Sequence, residues 1–282
     1  MTTMFQPHPG ANSNCKTCSG DSYVVVKGDT TAIAVVCDCV SACPSCDDTG
    51  FIPEDESRNS RLKPCVCGLV GTRIELFNRA FIPNRYAHCT LESYKPTVDQ
   101  TPTIMGVSNF LNRYDPEDDD AMGFLLYGDV GRGKTHLMVA ALRALIFKLG
   151  VTGRFVEFSL LLADLKASFE KINDASTLVD PLYSVQVLAI DEMGKGRGSD
   201  WEKTVLDELI SRRYNSLLTL LVTTNYRPGN ASGISTPNLA KNNKVPHLID
   251  RVDTRVYSRL EQMCDFIPTS GPDYRKKPRH KR

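Results

Sequence analysis

The sequence predicts an α/β protein built on a parallel sheet, preceded by a small cysteine-rich module that metal would hold together. Three observations predict it. Cysteine pairs recur at fixed spacing between Cys15 and Cys67. From about residue 99, short apolar strands alternate with helix-length segments, the pattern of a parallel sheet. One of those strands, Gly123–Tyr127, runs directly into a glycine-rich loop and then a helix.

Eight of the ten cysteines lie between Cys15 and Cys67. The pair Cys15 and Cys18 is answered by Cys37 and Cys39. The pair Cys43 and Cys46 is answered, across an interval of the same length, by Cys65 and Cys67. The two units therefore repeat in register, and Tyr23 and Phe51 stand at the same offset in each. A Cys-x2-Cys turn aims two thiolates at one point, and a returning chain brings the second pair to complete a tetrahedral Zn2+ site. In the first unit, Tyr23–Val26 and Ala32–Val36 flank Lys27-Gly28-Asp29 as strand, turn and strand, while the second unit, with Pro53 and a run of charges, is a weaker hairpin. Each resembles a zinc ribbon, and neither holds enough apolar residues for a core, so metal would supply the folding energy. An oxidisable thiol cluster, an iron–sulfur site and pairing across the repeats are the alternatives. Cys89 and Cys264 fall outside the repeat and read as ordinary buried thiols.

The loop Gly128-Asp129-Val130-Gly131-Arg132-Gly133-Lys134-Thr135 is a full G-x4-G-K-T match between a strand and a helix that runs to about Leu149 and stops at Gly150. That is the context a phosphate-binding loop requires. Its glycines let backbone N–H groups close on phosphate oxygens. Lys134 would place a charge on the β- and γ-phosphates, and Thr135 would give its hydroxyl to Mg2+. His136 reads as a helix-start residue. A second apolar strand, Val185–Ile190, ends on Asp191-Glu192, at the strand end where open parallel sheets bind ligands. Asp191 would hold Mg2+ through water, and Glu192 would polarise the attacking water. A third strand, Thr219–Thr223, ends at Thr224-Asn225, where the amide would hold that water or sense the γ-phosphate.

Together these segments resemble the helicase-loader ATPases of the DnaC/DnaI type and the related IstB transposition helpers, which are P-loop AAA+ proteins. The resemblance covers most of residues 65–275 and also rests on Ala80–Tyr86, Arg213-Tyr214, Arg255–Cys264 and Ser270–Arg275. It implies an AAA+ core with a reduced or absent lid, Asn225 as sensor 1, and Arg259, or else Arg255 one helical turn away, as an arginine finger reaching a neighbouring subunit's ATP. It further implies Mg2+-dependent ATP hydrolysis, self-association in the ATP state, and a replicative helicase (or, for the helpers, a transposase) as partner. Two tandem cysteine units depart from the single module expected of such proteins. The region 160–184 begins as a helix, with Leu160, Leu161, Leu162, Leu165 and Phe169 at helical spacing. By resemblance it meets single-stranded DNA, through Lys166 and Lys171; an amphipathic helix with solvated lysines explains the same residues.

The organisation expected is therefore a zinc module over residues 1–68, a helical linker over 69–98, the ATPase core over 99–275 and a basic tail over 276–282. Residues 87–122, with the acidic run 115–120, read as linker and loop. The formal net charge of +1 favours no class of partner, although residues 275–282 hold six of the Lys/Arg in a basic end. No signal peptide or membrane span is legible, so a cytoplasmic protein is expected. Two other classes remain: a P-loop kinase, which the absence of an arginine-rich lid insert disfavours, and a zinc-dependent adaptor with ATP as an assembly switch, against which Glu192 argues.

Overall fold

The computed structural model describes residues 6–55, 60–118, 122–170, 176–229 and 246–276. Lys171, the acidic residues 119 and 120, and tail residues 277–282 lie outside them, as does the side chain of Phe169. The chain divides into two compact units, Met1–Cys89 with Arg143–Gly153, and Thr90–Leu142 with Arg154–Arg282.

In the first unit, β1 (Tyr23–Lys27) and β2 (Ala32–Val36) form an antiparallel hairpin in which Tyr23 pairs with Val36 and Lys27 with Ala32. Side chains alternate faces along a strand, so Tyr23, Ala32 and Ala34 turn inward together and are buried. Tyr23 stacks on Phe147 with ring centroids 3.8 Å apart, and Phe77 meets the same ring at 5.4 Å. The outer edge of β2 is closed by Asn78, whose amide accepts from Ala34 N at 2.7 Å and donates to Ala34 O at 3.1 Å. β3 (Phe51–Pro53) and β4 (Leu62–Pro64) make a three-residue ladder with every residue at least partly exposed. Helix α1 (Val66–Asn78) follows and packs on β2.

The second unit begins with a correction. The segment that reads as linker and loop holds α2 (Thr101–Arg113). Thr103, Val107 and Phe110 are its buried stripe, at the i, i+4, i+7 spacing of one helix face, and Pro102 sits in the first turn, where a missing N–H costs nothing. Then come β5 (Gly123–Tyr127), α3 (Lys134–Leu149, its last turns counted with the first unit), β6 (Gly153–Glu157), α4 (Phe158–Glu170), α5 (Ser176–Ser184), β7 (Val187–Asp191), α6 (Asp200–Asn215), β8 (Thr219–Thr224), α7 (Leu248–Val252), α8 (Thr254–Met263) and β9 (Cys264–Pro268).

The sheet order is β6-β7-β8-β5-β9, and the pairs β7–β8, β8–β5 and β5–β9 are parallel. Every residue of β7 and β8 is buried, as expected of strands covered on both faces. On α4, Leu161, Leu162 and Leu165 enter the core, whereas Leu160 is 59% exposed. Arg213 is wholly buried and donates to the carbonyls of Leu182, Val185, Gln186 and Thr219, tying α6 to the sheet. Among the described residues, no helix is long and apolar enough to cross a membrane.

Candidate functional site

The carboxyl ends of β5, β7 and β8 converge on one polar cluster. The loop Gly128–Gly133 leaves β5 and enters α3 at Lys134. Gly131 and Gly133 have φ of 81° and 87°, a region that side chains other than glycine's enter at a cost. The space is closed as well: a Cβ at Gly133 would stand 2.6 Å from the Tyr94 ring, and one at Gly131 only 1.8 Å from Asp273 Oδ1.

Lys134 Nζ donates to Gly128 O and Asp129 O, both at 2.7 Å, and to Asn225 Oδ1 at 2.8 Å. Burial pushes its pKa down to about 8, against the pull of Asp191 and Asp129. Thr135 Oγ1 donates to Asp191 Oδ1 at 2.9 Å, so the two groups suited to Mg2+ already touch. Asp191 is 4% exposed. Burial raises its pKa, opposed by hydrogen bonds from Thr223 and Thr135.

Glu192 lies just beyond β7 with φ of 56°, a strained conformation for a residue with a side chain. Thr223 holds it there, accepting from Glu192 N at 3.0 Å while its own hydroxyl donates to Asp191. The Glu192 carboxylate is ion-paired with Lys195, whose Nζ is also 3.6 Å from Glu157 of β6. Thr223 and Lys195 are two residues that sequence reasoning missed. Neither carries a motif of its own; each matters through a neighbour that does.

The remaining candidates are distributed differently. Asp129 pairs with Arg132 at 3.3 Å, and Val130 is exposed. His136 Nε2 lies 3.0 Å from Thr90 O and 3.1 Å from Ser93 Oγ, which ties it to the 90–93 turn. On α8, Arg255 is exposed, while Arg259 is bonded to Asp207 of α6 at 2.8 Å. Lys166 Nζ sits 4.8 Å from the centroid of the Trp201 ring, a cation–π contact.

The segments read as linker and closing motif also shape the loop. Gln100 Nε2 and Tyr94 OH both donate to Arg132 O, at 3.1 and 3.2 Å. Tyr274 N donates to Gly131 O at 3.0 Å, and Tyr274 OH to Lys95 O at 2.6 Å. These bonds hold the carbonyls of Gly131 and Arg132 within the loop. A cavity of 490 Å³ opens beside it, walled by Tyr127–Asp129, Arg132, Arg227-Pro228 and Pro268–Gly271. It lies outside the carboxyl ends of the strands, where open parallel sheets place ligands.

In the first unit, the cysteines gather within each repeat rather than across them. Cys15, Cys18, Cys37 and Cys39 form one group and Cys43, Cys46, Cys65 and Cys67 the other, all thiol sulfurs of a group lying within 4.8 Å of one another. Neighbouring sulfurs are 3.3 to 3.8 Å apart. Four ligands at the Zn–S distance of about 2.3 Å on a tetrahedron stand about 3.8 Å apart, so both groups fit Zn2+. Backbone N–H donors from Cys18 and Thr17 lower the Cys15 pKa to about 6, while burial and the neighbouring thiols push that of Cys39 up.

Residues 117–282 match the IstB-like ATP binding protein family. The replicative helicase loader DnaC of Buchnera aphidicola (subsp. Acyrthosiphon pisum) is 28% identical over 144 residues, covering 50% of this chain and 57% of that one. The Escherichia coli K12 loader DnaC is 26% identical over 141 residues, again half of this chain and 56% of the relative. The match thus spans little more than half the length of these relatives. Among solved structures, a DnaC helicase loader superposes with a TM-score of 0.55 and 30% identity over 66% of this chain and 99% of that one. DnaI, at 22% identity and a TM-score of 0.52, shares the fold. With a five-stranded sheet, a phosphate loop at its carboxyl edge and a family match over more than half its length, the chain belongs to the IstB-like ATP binding proteins, as a P-loop AAA+ protein of the DnaC type.

Proposed function

We propose that this protein is an Mg2+-dependent ATPase that loads a replicative helicase onto single-stranded DNA. One observation carries the ATPase reading. Lys134, Thr135, Asp191 and Asn225, from three separate segments, are joined by hydrogen bonds of 2.8 and 2.9 Å at the mouth of the phosphate loop. Likeness to the DnaC loaders supports the helicase.

ATP with Mg2+ would supply the phosphoanhydride to be cleaved. Lys134 would exchange its present oxygen partners for β- and γ-phosphate oxygens, with the loop N–H groups completing the cradle. Thr135 and Asp191 would hold Mg2+, Thr135 by its hydroxyl and Asp191 through water. Glu192 would leave Lys195 and take the proton of the attacking water at its carboxylate. Asn225 Oδ1, freed as Lys134 moves, would orient that water. Arg259 or Arg255 would act across a subunit interface formed in the ATP state. Arg259 would first have to leave Asp207. The two four-cysteine groups would each hold one Zn2+ as closed structural sites, and the N-terminal module would engage the helicase. Lys166 would contact DNA only by giving up the Trp201 face.

The test is hydrolysis measured against protein concentration. Lys134→Ala should weaken ATP binding. Glu192→Gln should bind ATP and not turn over, and Lys195→Ala should raise turnover a few-fold by freeing Glu192. Mixing Glu192→Gln with an Arg255→Ala, Arg259→Ala double variant should recover activity. ATP binding that survives Lys134→Ala would sink the site. Capture of a transposase and not a helicase by the zinc-loaded protein would move the chain to the transposition helpers.

A further inference from the structure

We infer that the open edge of β1 is a contact between two copies of this chain, which pair their β1 strands antiparallel about Val25 and join the two hairpins into one sheet. The two edges of the hairpin are finished differently. Gly28 N donates to Thr31 O at 3.0 Å, and Cys37 N to Ser22 O at 2.9 Å. In an antiparallel ladder such bonded pairs alternate with pairs whose N–H and C=O groups point outward. Tyr23, Val25 and Lys27 on β1, and Ala32, Ala34 and Val36 on β2, therefore turn theirs away from the hairpin. On β2 those groups are met: Ala32 N donates to Ile82 O at 2.7 Å, and Asn78 bonds both groups of Ala34. On β1, among the described residues, nothing bonds to the outward groups of Val25.

Sheet edges are ordinarily guarded by a charge, a proline or a bulge. β1 has neither proline nor bulge, and its charge, Lys27, stands at the last position. The face turned from the core is apolar too: Val24 and Val26, with Val35 and Ile33 opposite them. Val26 and Val35 are exposed. A globular partner laid on that face would meet four side chains, where a standard interface uses about 20–30 residues a side. Strand pairing suits so small a surface, because main-chain bonds carry it. Symmetry names the second strand. Valines fill the three central positions of β1, so a twofold axis at Val25 brings the whole strand into the new ladder. Val25 then exchanges both main-chain bonds with Val25 of the second copy. Val24 meets Val26, a β-branched pair of the kind that packs well across strands. Lys27 meets Tyr23, so no like charges are opposed within the ladder. This contact lies in the first unit and does not rest on the nucleotide site.

Sedimentation velocity of the full chain without nucleotide, over a range of protein concentrations, tests this. A reversible dimer should form with a Kd on the order of 10 µM, the weak end expected of a small interface. Val25→Pro removes the outward N–H and no bond of the hairpin. It should weaken the dimer about tenfold or more, since the twofold axis counts each lost bond twice. Val26→Lys, at an exposed position, should also weaken it while urea unfolding stays close to the parent's. The Arg255→Ala, Arg259→Ala double variant should dimerise as the parent does, because those residues lie in the other unit. A parent that stays monomeric up to about 200 µM, well above that Kd, would overturn the inference. So would a dimer that both valine variants leave intact, or one that only the arginine variant abolishes, which would place the contact in the ATPase unit.

Discussion

The two four-cysteine units have the same spacing and different foundations. In the first, Tyr23 lies under the hairpin against Phe147 and is 8% exposed. In the second, Phe51 stands at the same offset and is 54% exposed, with Leu62 across the ladder at 67%. Cysteine spacing sets where four sulfurs meet, and it does so equally in both. Whether the loop between them packs depends on what it can cover. β1 and β2 are five residues long and bury Tyr23, Ala32 and Ala34, while β3 and β4 are three residues long and bury no residue. With the proposed Zn2+ bound, the first unit would have two sources of stability, and the second would depend on its metal.

The largest expected effect is metal removal. With the proposed Zn2+ chelated, amides of β3 and β4 should lose all protection from hydrogen exchange, because a structural zinc site contributes on the order of 10 kcal/mol. Those of β1 and β2 should keep part of theirs. Cys43→Ser should lower bound zinc from two ions per chain to one and leave the first hairpin intact. Equal loss of protection in both units would erase the distinction drawn between them.

Tyr23→Ala comes next. Truncating a buried aromatic costs about 3 kcal/mol, here with loss of the stack on Phe147. Urea unfolding should show the loss while metal analysis still finds two zinc ions, since no ligand is touched. A variant of parental stability would mean that the Tyr23 contact contributes nothing and that both units rest on metal alone.

A smaller effect is expected from Asn78→Ala. The Asn78 amide stands in for a neighbouring strand by bonding both polar groups of Ala34. Removing it leaves them dependent on whatever water reaches a partly buried edge, at about 1–2 kcal/mol. Asn78→Asp keeps the acceptor and loses the donor, so it should fall between. No such device closes the second hairpin among the described residues.

How much of this is legible in sequence depends on whether chemistry fixes residues at short range. The cysteine pairs, the Gly128–Thr135 loop and the acid after β7 are legible because each binding event needs set residue types at set spacing. The grouping of cysteines within each repeat is not, since equal spacing allows either pairing. Helix α2 is written in Thr103, Val107 and Phe110, but Pro102 and Gly106 obscure the period. β9 is a short edge strand whose partner, β5, lies far earlier in the chain, with Gly123 set against Cys264. The clamp on the phosphate loop is the least legible part. Tyr94, Gln100 and Tyr274 act on two backbone carbonyls, and a carbonyl places no demand on the residue type that meets it.

The smallest effect predicted is that of Phe51→Ser, and it is the sharpest comparison with Tyr23. Both aromatics follow the second cysteine of their unit at the same distance, so a repeat read from sequence alone gives them equal weight. Burial does not. Phe51 keeps over half its surface in water, so a serine there forfeits little transfer free energy, and β3 retains its ladder to β4 through the backbone. Stability should change by no more than about 0.5 kcal/mol, with zinc still at two ions per chain. A loss comparable to that of Tyr23→Ala would show that the second hairpin has a packed face, and that its metal is not its only support. An unchanged fold with weakened capture of the proposed helicase would place Phe51 on the docking surface, where an exposed aromatic ring is an anchor of the kind that protein interfaces favour.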